Sequence, residues 1–206
     1  MTDFTEFTEN GYILKRNLFS QKEISKLNIS MQSIRQREAK GLGHAILCAK
    51  KLIGKEPFAV ILPDMLISKD NGNAGASLKE MRLNFEKHEI SSILLGKAKK
   101  ADIPKYGIAQ IKKNPNLPGL GAVEKIIEKP SIKKAPSNLY AVGRYIFNND
   151  FFKYLPKVKP DKSNEIQLTW AIDDYIKDNN KVNAFSLEGD VFDCGDNVEY
   201  ILANLE

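Results

Sequence analysis

Two aspartates close short apolar runs of this chain: Asp64 ends "FAVILPD", and Asp193 ends "VFD" just before Cys194 and Gly195. A carboxylate in such a place is costly to leave unpaired, so it either caps a turn or holds a cation. The carboxyl ends of strands in open α/β sheets are also where ligands bind. Two aspartates from distant points of the chain suit one Mg²⁺, which takes few oxygens from protein and the rest from phosphate and water. The sequence has no third acid at transition-metal spacing.

Other residues carry weaker signals. Gly41 and Gly43, at a turn opening a helix, either let the backbone pass close to an anion or a nucleobase carbonyl, or simply meet the needs of a tight turn. His44 has no acidic or histidine partner in sequence and reads as a packed histidine. Glu128 and Lys129 of "EKP" fall on opposite faces of a strand end, so only one faces a given pocket unless Pro130 turns the chain. Arg144, inside the apolar "AVGRYIF", requires an anionic partner if it is buried.

The elements that must hold these residues follow from periodicity. Ala45, Ile46, Ala49, Leu52 and Ile53 share one helix face, and Leu168, Ile172, Tyr175 and Ile176 share another. "FAVIL" (58–62) is apolar on both faces, as in a central strand of a parallel sheet covered by helices. Ser77 with Glu80 forms a capping box ahead of Leu78, Met81 and Phe85. "ISMQSIRQ", "SSILLGKA", "KYGIAQI", "GAVEKIIEKP" and "SNLYAVGRYIF" read as strands, "VNAFSL" with "VFDCG" as a strand pair, and "NVEYILANLE" as a terminal helix. Strands alternating with helices predict an α/β fold with crossover connections. Residues 1–28 read as a unit of their own, with a turn at Asn10-Gly11 and a second capping box from Ser20 to Glu23.

Composition bounds the rest. The chain has 206 residues, 42% hydrophobic and 28% charged, with no apolar run near the roughly 20 residues that span a bilayer. Its N-terminus carries acids and no basic-then-apolar order, so no secretory signal is present and a soluble, cytoplasmic protein is expected. Cys48 and Cys194 lie far apart and fit reduced thiols. The formal charge of +5 comes with lysines spread in pairs and no aromatic interleaving, which argues against nucleic-acid binding and is compatible with a polyphosphate ligand.

Taken together, "RQREAKGLGHAILCAKKLIGKEPFAVILPD", "YGIAQI", "VEKIIEKP", "PSNLYAVGRYIF", "NEIQLTWAI" and "FDCGD" resemble, in order and spacing, the bacterial UTP–glucose-1-phosphate uridylyltransferases over residues 33–205. The resemblance implies a Rossmann-like, mostly parallel sheet of the sugar nucleotidyltransferase type. It implies that UTP and glucose 1-phosphate give UDP-glucose and pyrophosphate with Mg²⁺ held by Asp64 and Asp193. By the same resemblance Gln36, Gly41 and Gly43 lie against the uracil and ribose, Gly107, Glu128 and Glu165 of "NEIQLT" contact the glucose, and Lys129 binds the sugar phosphate. Asp64, Asp193 and Lys129 are then the catalytic set.

The sequence departs from that family in one major respect. Its members begin with a strand and a glycine-rich loop of the type GxGTRxLPxTK that binds the triphosphate, and no such run occurs here. The resemblance thus implies a chain matching the C-terminal part of a transferase (29–206) with its first strands missing, joined to an unrelated leader (1–28). It further implies weak turnover and, through an open sheet edge, self-association into a homo-oligomer. The alternative is a non-catalytic sugar-nucleotide-binding subunit; a thymidylyltransferase is disfavoured by "RQ" followed by "KGLGHA". The leader resembles the opening of phytanoyl-CoA-dioxygenase-like proteins, yet neither His44 nor His88 has an aspartate two residues on, as their iron site needs. Trp170 stands where the family usually carries an aspartate.

Overall fold

The computed structural model describes residues 32–68, 75–115 and 118–205. The chain divides after Arg35, and the fold below is that of the unit beginning at Gln36. The leader 1–28, with its expected turn and capping box, lies outside the described residues, and no strand is formed by residues 32–36.

In chain order the elements are α1 (Gly41–Ile53), β1 (Phe58–Ile61), β2 (Met65–Ser68), α2 (Ala76–His88), β3 (Ser91–Lys97) and β4 (Gly107–Lys112). Then follow β5 (Gly121–Glu128), β6 (Leu139–Phe147), α3 (Leu168–Lys177), β7 (Val182–Ser186), β8 (Asp190–Asp193) and α4 (Asn197–Leu205). Six strands form one sheet in the order β1-β6-β3-β7-β5-β4, and β2 pairs with β8 in a small second sheet. The α/β class read from the sequence holds. The large sheet is mixed: β3 runs parallel to β7, and the other described pairings are antiparallel.

Helices cover both faces of this sheet. Ile93 and Leu95 of β3 join one core with Ile46 of α1 and with Leu168, Ala171, Ile172 and Tyr175 of α3. Leu94 points the other way, into a second core with Met81 of α2, Val142 and Phe185. A strand buried on both faces is apolar where the two cores meet it, and Ile93, Leu94 and Leu95 of β3, all fully buried, form that stretch. On α3 Leu168, Ile172 and Tyr175 of the expected stripe are buried and Ile176 is partly so, each fully buried side chain contributing about 1.5–3 kcal/mol by leaving water.

Four expectations are corrected by the packing. β1 is a border strand among the described residues, paired with β6, and Ile61 is 51% exposed; its apolar character is used by Phe58, whose ring stacks on Phe152 at 4.5 Å. β7 and β8 do not pair with each other, because β7 is taken into the large sheet and β8 into the small one. β2 was not expected, its four residues being too few to show a period. Helix α2 starts one residue before Ser77, with Gly75 in the left-handed region at its N-cap, and Ser77 is buried within the helix.

Candidate active site

A cleft of about 320 Å³ opens between the β2–β8 ribbon and the ends of β4, β5 and α3. On one side stand Asp64 and Asp193. Antiparallel pairing sets Met65 opposite Asp193, and the Cys194 N–H donates to the Asp64 carbonyl at 2.7 Å. The Gly195 N–H donates to Asp193 Oδ1 at 3.1 Å. A Cβ placed on Gly195 would lie 3.1 Å from Asp193 Oδ1 and 4.0 Å from Asp64 Oδ2, so both carboxylates face one small space.

Arg144 sets the position of Asp64. Its guanidinium donates to the carbonyls of Leu62 (2.9 Å), Met65 (2.7 Å) and Gly143 (3.2 Å), clamping the turn that carries the aspartate. Aligned peptide oxygens suit the guanidinium fork.

The opposite wall is built around Glu128. Thr169, in the first turn of α3, donates its hydroxyl to Glu128 Oε2 at 2.8 Å. Burial pushes the Glu128 carboxyl above the usual carboxylate range, against the lowering effect of the Thr169 bond and the Lys129 ammonium. Both Glu128 and Lys129 line the cleft. Strand alternation would send Lys129 away, but its φ of 43° turns the chain at the strand end, and its N–H is held by the Tyr106 carbonyl at 3.0 Å. Gly107 leaves the room this wall needs, since a Cβ there would come within 2.6 Å of Thr169 Cγ2 and 3.2 Å of Glu128 Oε2. Tyr145 lies beside Glu128, buried but reaching the cleft lining, and burial pushes its phenol upward.

Of the residues expected at the site, Asp64, Gly107, Glu128, Lys129 and Asp193 are brought together in this cleft. Gln36, Gly41, Gly43 and Glu165 are not among its lining residues. Gln36 Nε2 donates to the Gly41 carbonyl at 3.1 Å and lies 2.9 Å from His44 Nδ1. Gly41, with φ +77°, and Gly43 are small because residues 165–166 cross them: Cβ atoms there would meet Glu165 Cβ at 2.8 Å and the Ile166 carbonyl at 2.7 Å. Reciprocal bonds tie the two segments, Gly43 N–H to Ile166 and Ile166 N–H to Lys40. Leu42, between the glycines, reaches the cleft.

In "NEIQLT" it is Gln167 and Thr169 that line the cleft, while Glu165 accepts a bond from Gln167 Nε2 at 3.1 Å. Gln167 also donates to Asp161 Oδ2 at 2.8 Å, and the Glu165 N–H and other donors hold the Asp161 carboxyl below its usual range. Lys105, Tyr106 and Tyr145 also line the cleft; Tyr106 and Tyr145 lie within the motifs "YGIAQI" and "PSNLYAVGRYIF", but the sequence singles out none of the three as a site residue. Trp170 is 39% exposed and lies outside the cleft lining.

The donor set beside Gly195 is made of carboxylate oxygens. Among the described residues no three or more His, Cys, Asp or Glu are grouped to hold a metal. Two carboxylates with room for other oxygens fit a hard divalent cation completed by phosphate and water. Also among the described residues, no helix is long and apolar enough to cross a membrane.

Residues 8–206 match the family model "Nucleotidyl transferase", and the chain belongs to that family. Its relatives include the UTP–glucose-1-phosphate uridylyltransferase of Haemophilus ducreyi, 39% identical over 196 residues that make up 94% of this chain and 66% of that protein. Among solved structures, an apo UDP-glucose pyrophosphorylase superposes with a TM-score of 0.81 at 33% identity, covering 100% of this chain and 73% of that one. A UDP-glucose pyrophosphorylase complexed with UDP-glucose gives 0.76 at 37% identity, covering 84% and 63%. The chain thus spans about two thirds of the length of the curated relatives it matches. The matched span begins at residue 8, inside the segment that the sequence reading set apart as a leader.

Proposed function

We propose that this chain carries the sugar-phosphate and metal half of a cytoplasmic UTP–glucose-1-phosphate uridylyltransferase. The observation that carries the reading is the single cleft in which Asp64 and Asp193 face Glu128, Lys129, Gln167 and Thr169. In the reaction a phosphate oxygen of glucose 1-phosphate bonds to the α-phosphorus of UTP while the bond from that phosphorus to the β-phosphate bridge breaks, releasing pyrophosphate. No covalent enzyme intermediate is needed, so positioning and charge supply the catalysis.

Asp64 and Asp193 would hold Mg²⁺, and when bound it neutralises phosphate charge at the reacting centre. Lys129 offers its ammonium to the sugar phosphate. Glu128, kept as an acceptor by the Thr169 hydroxyl, takes hydrogen bonds from glucose hydroxyls, with Gln167 as a neighbouring amide. Placing the uracil beside Gln36, Gly41 and Gly43 follows the family resemblance, and the reach of Leu42 into the cleft supports it.

The test is pyrophosphate release from UTP and glucose 1-phosphate with Mg²⁺, comparing the chain with its Asp193→Asn variant. Release that falls at least a hundredfold on substitution supports the reading. Release that is unchanged refutes it.

A further inference from the structure

Between β3 and β4 the chain makes a short 3₁₀ stretch, Lys100–Lys105, and its last residue lines the cleft of Asp64 and Asp193. The backbone there is well fixed. Pro104 lies inside the stretch, the Tyr106 ring packs on Tyr140 at 4.6 Å, and the Tyr106 carbonyl accepts from the Lys129 N–H at 3.0 Å. The Lys105 side chain is freer: it is 60% exposed, and its ammonium pairs with Asp102 Oδ1, one turn back, at 3.0 Å. The hydrogen bond and charge of Asp102 raise the Lys105 pKa, with smaller contributions from Tyr106 and Asp196.

Without this lysine the charges that line the cleft do not balance for a phosphate ligand. Asp64, Asp193 and Glu128 are its carboxylates, and Lys105 and Lys129 its cations. A Mg²⁺ ion held by the two aspartates offsets their charge. Lys129 is partly taken up by Glu128 beside it, whose ionised form it favours. A sugar diphosphate brings two negative charges into the same space, and the cation left to meet them is Lys105. Its pairing with Asp102 does not hold it back, because an exposed lysine–carboxylate pair is weak and both of its ends stay wet when it opens.

We propose that Lys105 is a second phosphate-binding cation of the cleft, exchanging Asp102 for a phosphate oxygen of the sugar nucleotide when the ligand enters. The inference rests on the sugar-nucleotide reading of the cleft and adds a residue to it. An ammonium is a point charge with three donors on a flexible stem, which suits such a move. Asp102 is then the resting partner, competing with the ligand for one ammonium. The pair therefore has effects of opposite sign: removing the lysine weakens binding, and removing its aspartate strengthens it. A pair that only braces the Lys100–Lys105 stretch would lose affinity from either change.

The experiment titrates UDP-glucose, with Mg²⁺, into the wild-type chain, Lys105→Gln, Asp102→Asn, the double variant of these two, and Lys129→Ala, read by calorimetry. Contacts from a charged donor to phosphate being strong ones, Lys105→Gln should weaken binding about tenfold and Asp102→Asn should tighten it about twofold. The double variant should bind as Lys105→Gln does, since Asp102 acts only through that ammonium. Binding weakened by Lys129→Ala and unchanged by Lys105→Gln would overturn this inference and leave the cleft reading standing. Asp102→Asn that weakens binding as Lys105→Gln does would also overturn it, by showing a bracing role. Absence of binding by the folded wild-type chain would overturn both. The Asp102→Asn arm keeps the lysine, so it decides the matter even if Lys105→Gln folds poorly.

Discussion

Thr169 reaches from the first turn of α3 to Glu128 at the end of β5, its hydroxyl donating to Glu128 Oε2 at 2.8 Å. Burial raises the Glu128 pKa, and this bond opposes the rise without cancelling it. The two residues are 41 positions apart in sequence, and the α3–β5 packing that joins them also shapes the cleft.

Glu128 therefore makes the fold sensitive to pH in a set direction. Its folded-state pKa lies above the unfolded value, so the folded protein binds the proton more readily, and stability falls as pH rises from the ordinary carboxylate value through the raised one. Glu128→Gln lacks this burden. The variant should melt at or above the wild-type temperature at pH 7, and the gap should close as the pH is lowered to 4. Melting curves of both proteins across that range check it, and a variant less stable at pH 7 by several degrees would count against it.

Gly107 is required by contact rather than by backbone conformation. Gly107→Ala would press its new methyl against Thr169 Cγ2 and should weaken UDP-glucose binding about tenfold, on the order of 1.4 kcal/mol. Thr169→Ser removes that methyl and keeps the hydroxyl. The Gly107→Ala, Thr169→Ser double variant should regain most of the affinity, a non-additivity that contacting residues show; additive losses measured by calorimetry would refute the steric account.

Arg144→Met should loosen the Leu62–Met65 turn by removing donors to three carbonyls. A loss of about 2–3 kcal/mol in chemical denaturation is expected, hydrogen bonds from charged groups being worth more than neutral ones. Arg144→Lys should recover less than half, since an ammonium cannot reproduce the fork. Full recovery by lysine would show that charge alone matters there.

Gly41→Ala should cost about 1–3 kcal/mol, because φ is +77° and the methyl would lie 2.8 Å from Glu165 Cβ. The loss should appear in denaturation midpoints even without nucleotide. A stability equal to wild type would mean that the 165–166 crossing gives way at little cost.

These residues also mark what the sequence could and could not convey. Asp64 and Asp193 were legible because a lone carboxylate after an apolar run is rare, and α3 because Leu168, Ile172 and Tyr175 keep a helical period. The joint access of Glu128 and Lys129 to the cleft was not, since it depends on a positive φ at Lys129 that no side-chain pattern encodes. Apolarity misplaced the centre of the sheet: "FAVIL" and "SSILL" look alike in sequence, and only strand order separates border β1 from interior β3. Gly41 and Gly43 carried the right signal of close approach, and what approaches them in the fold is the chain itself at Glu165 and Ile166. In the motif "NEIQLT" it is the residues at the start of α3, Gln167, Leu168 and Thr169, that line the cleft, while Glu165 lies ahead of the helix and outside the lining.

The most direct measurement is calorimetric titration of UDP-glucose into this chain with Mg²⁺, repeated with Asp193→Asn and with Lys129→Ala. Saturable, Mg²⁺-dependent binding that weakens at least tenfold in each variant is the predicted result. Absence of binding by the folded wild-type chain, or equal binding by all three proteins, would contradict the assignment of this cleft to the sugar nucleotide.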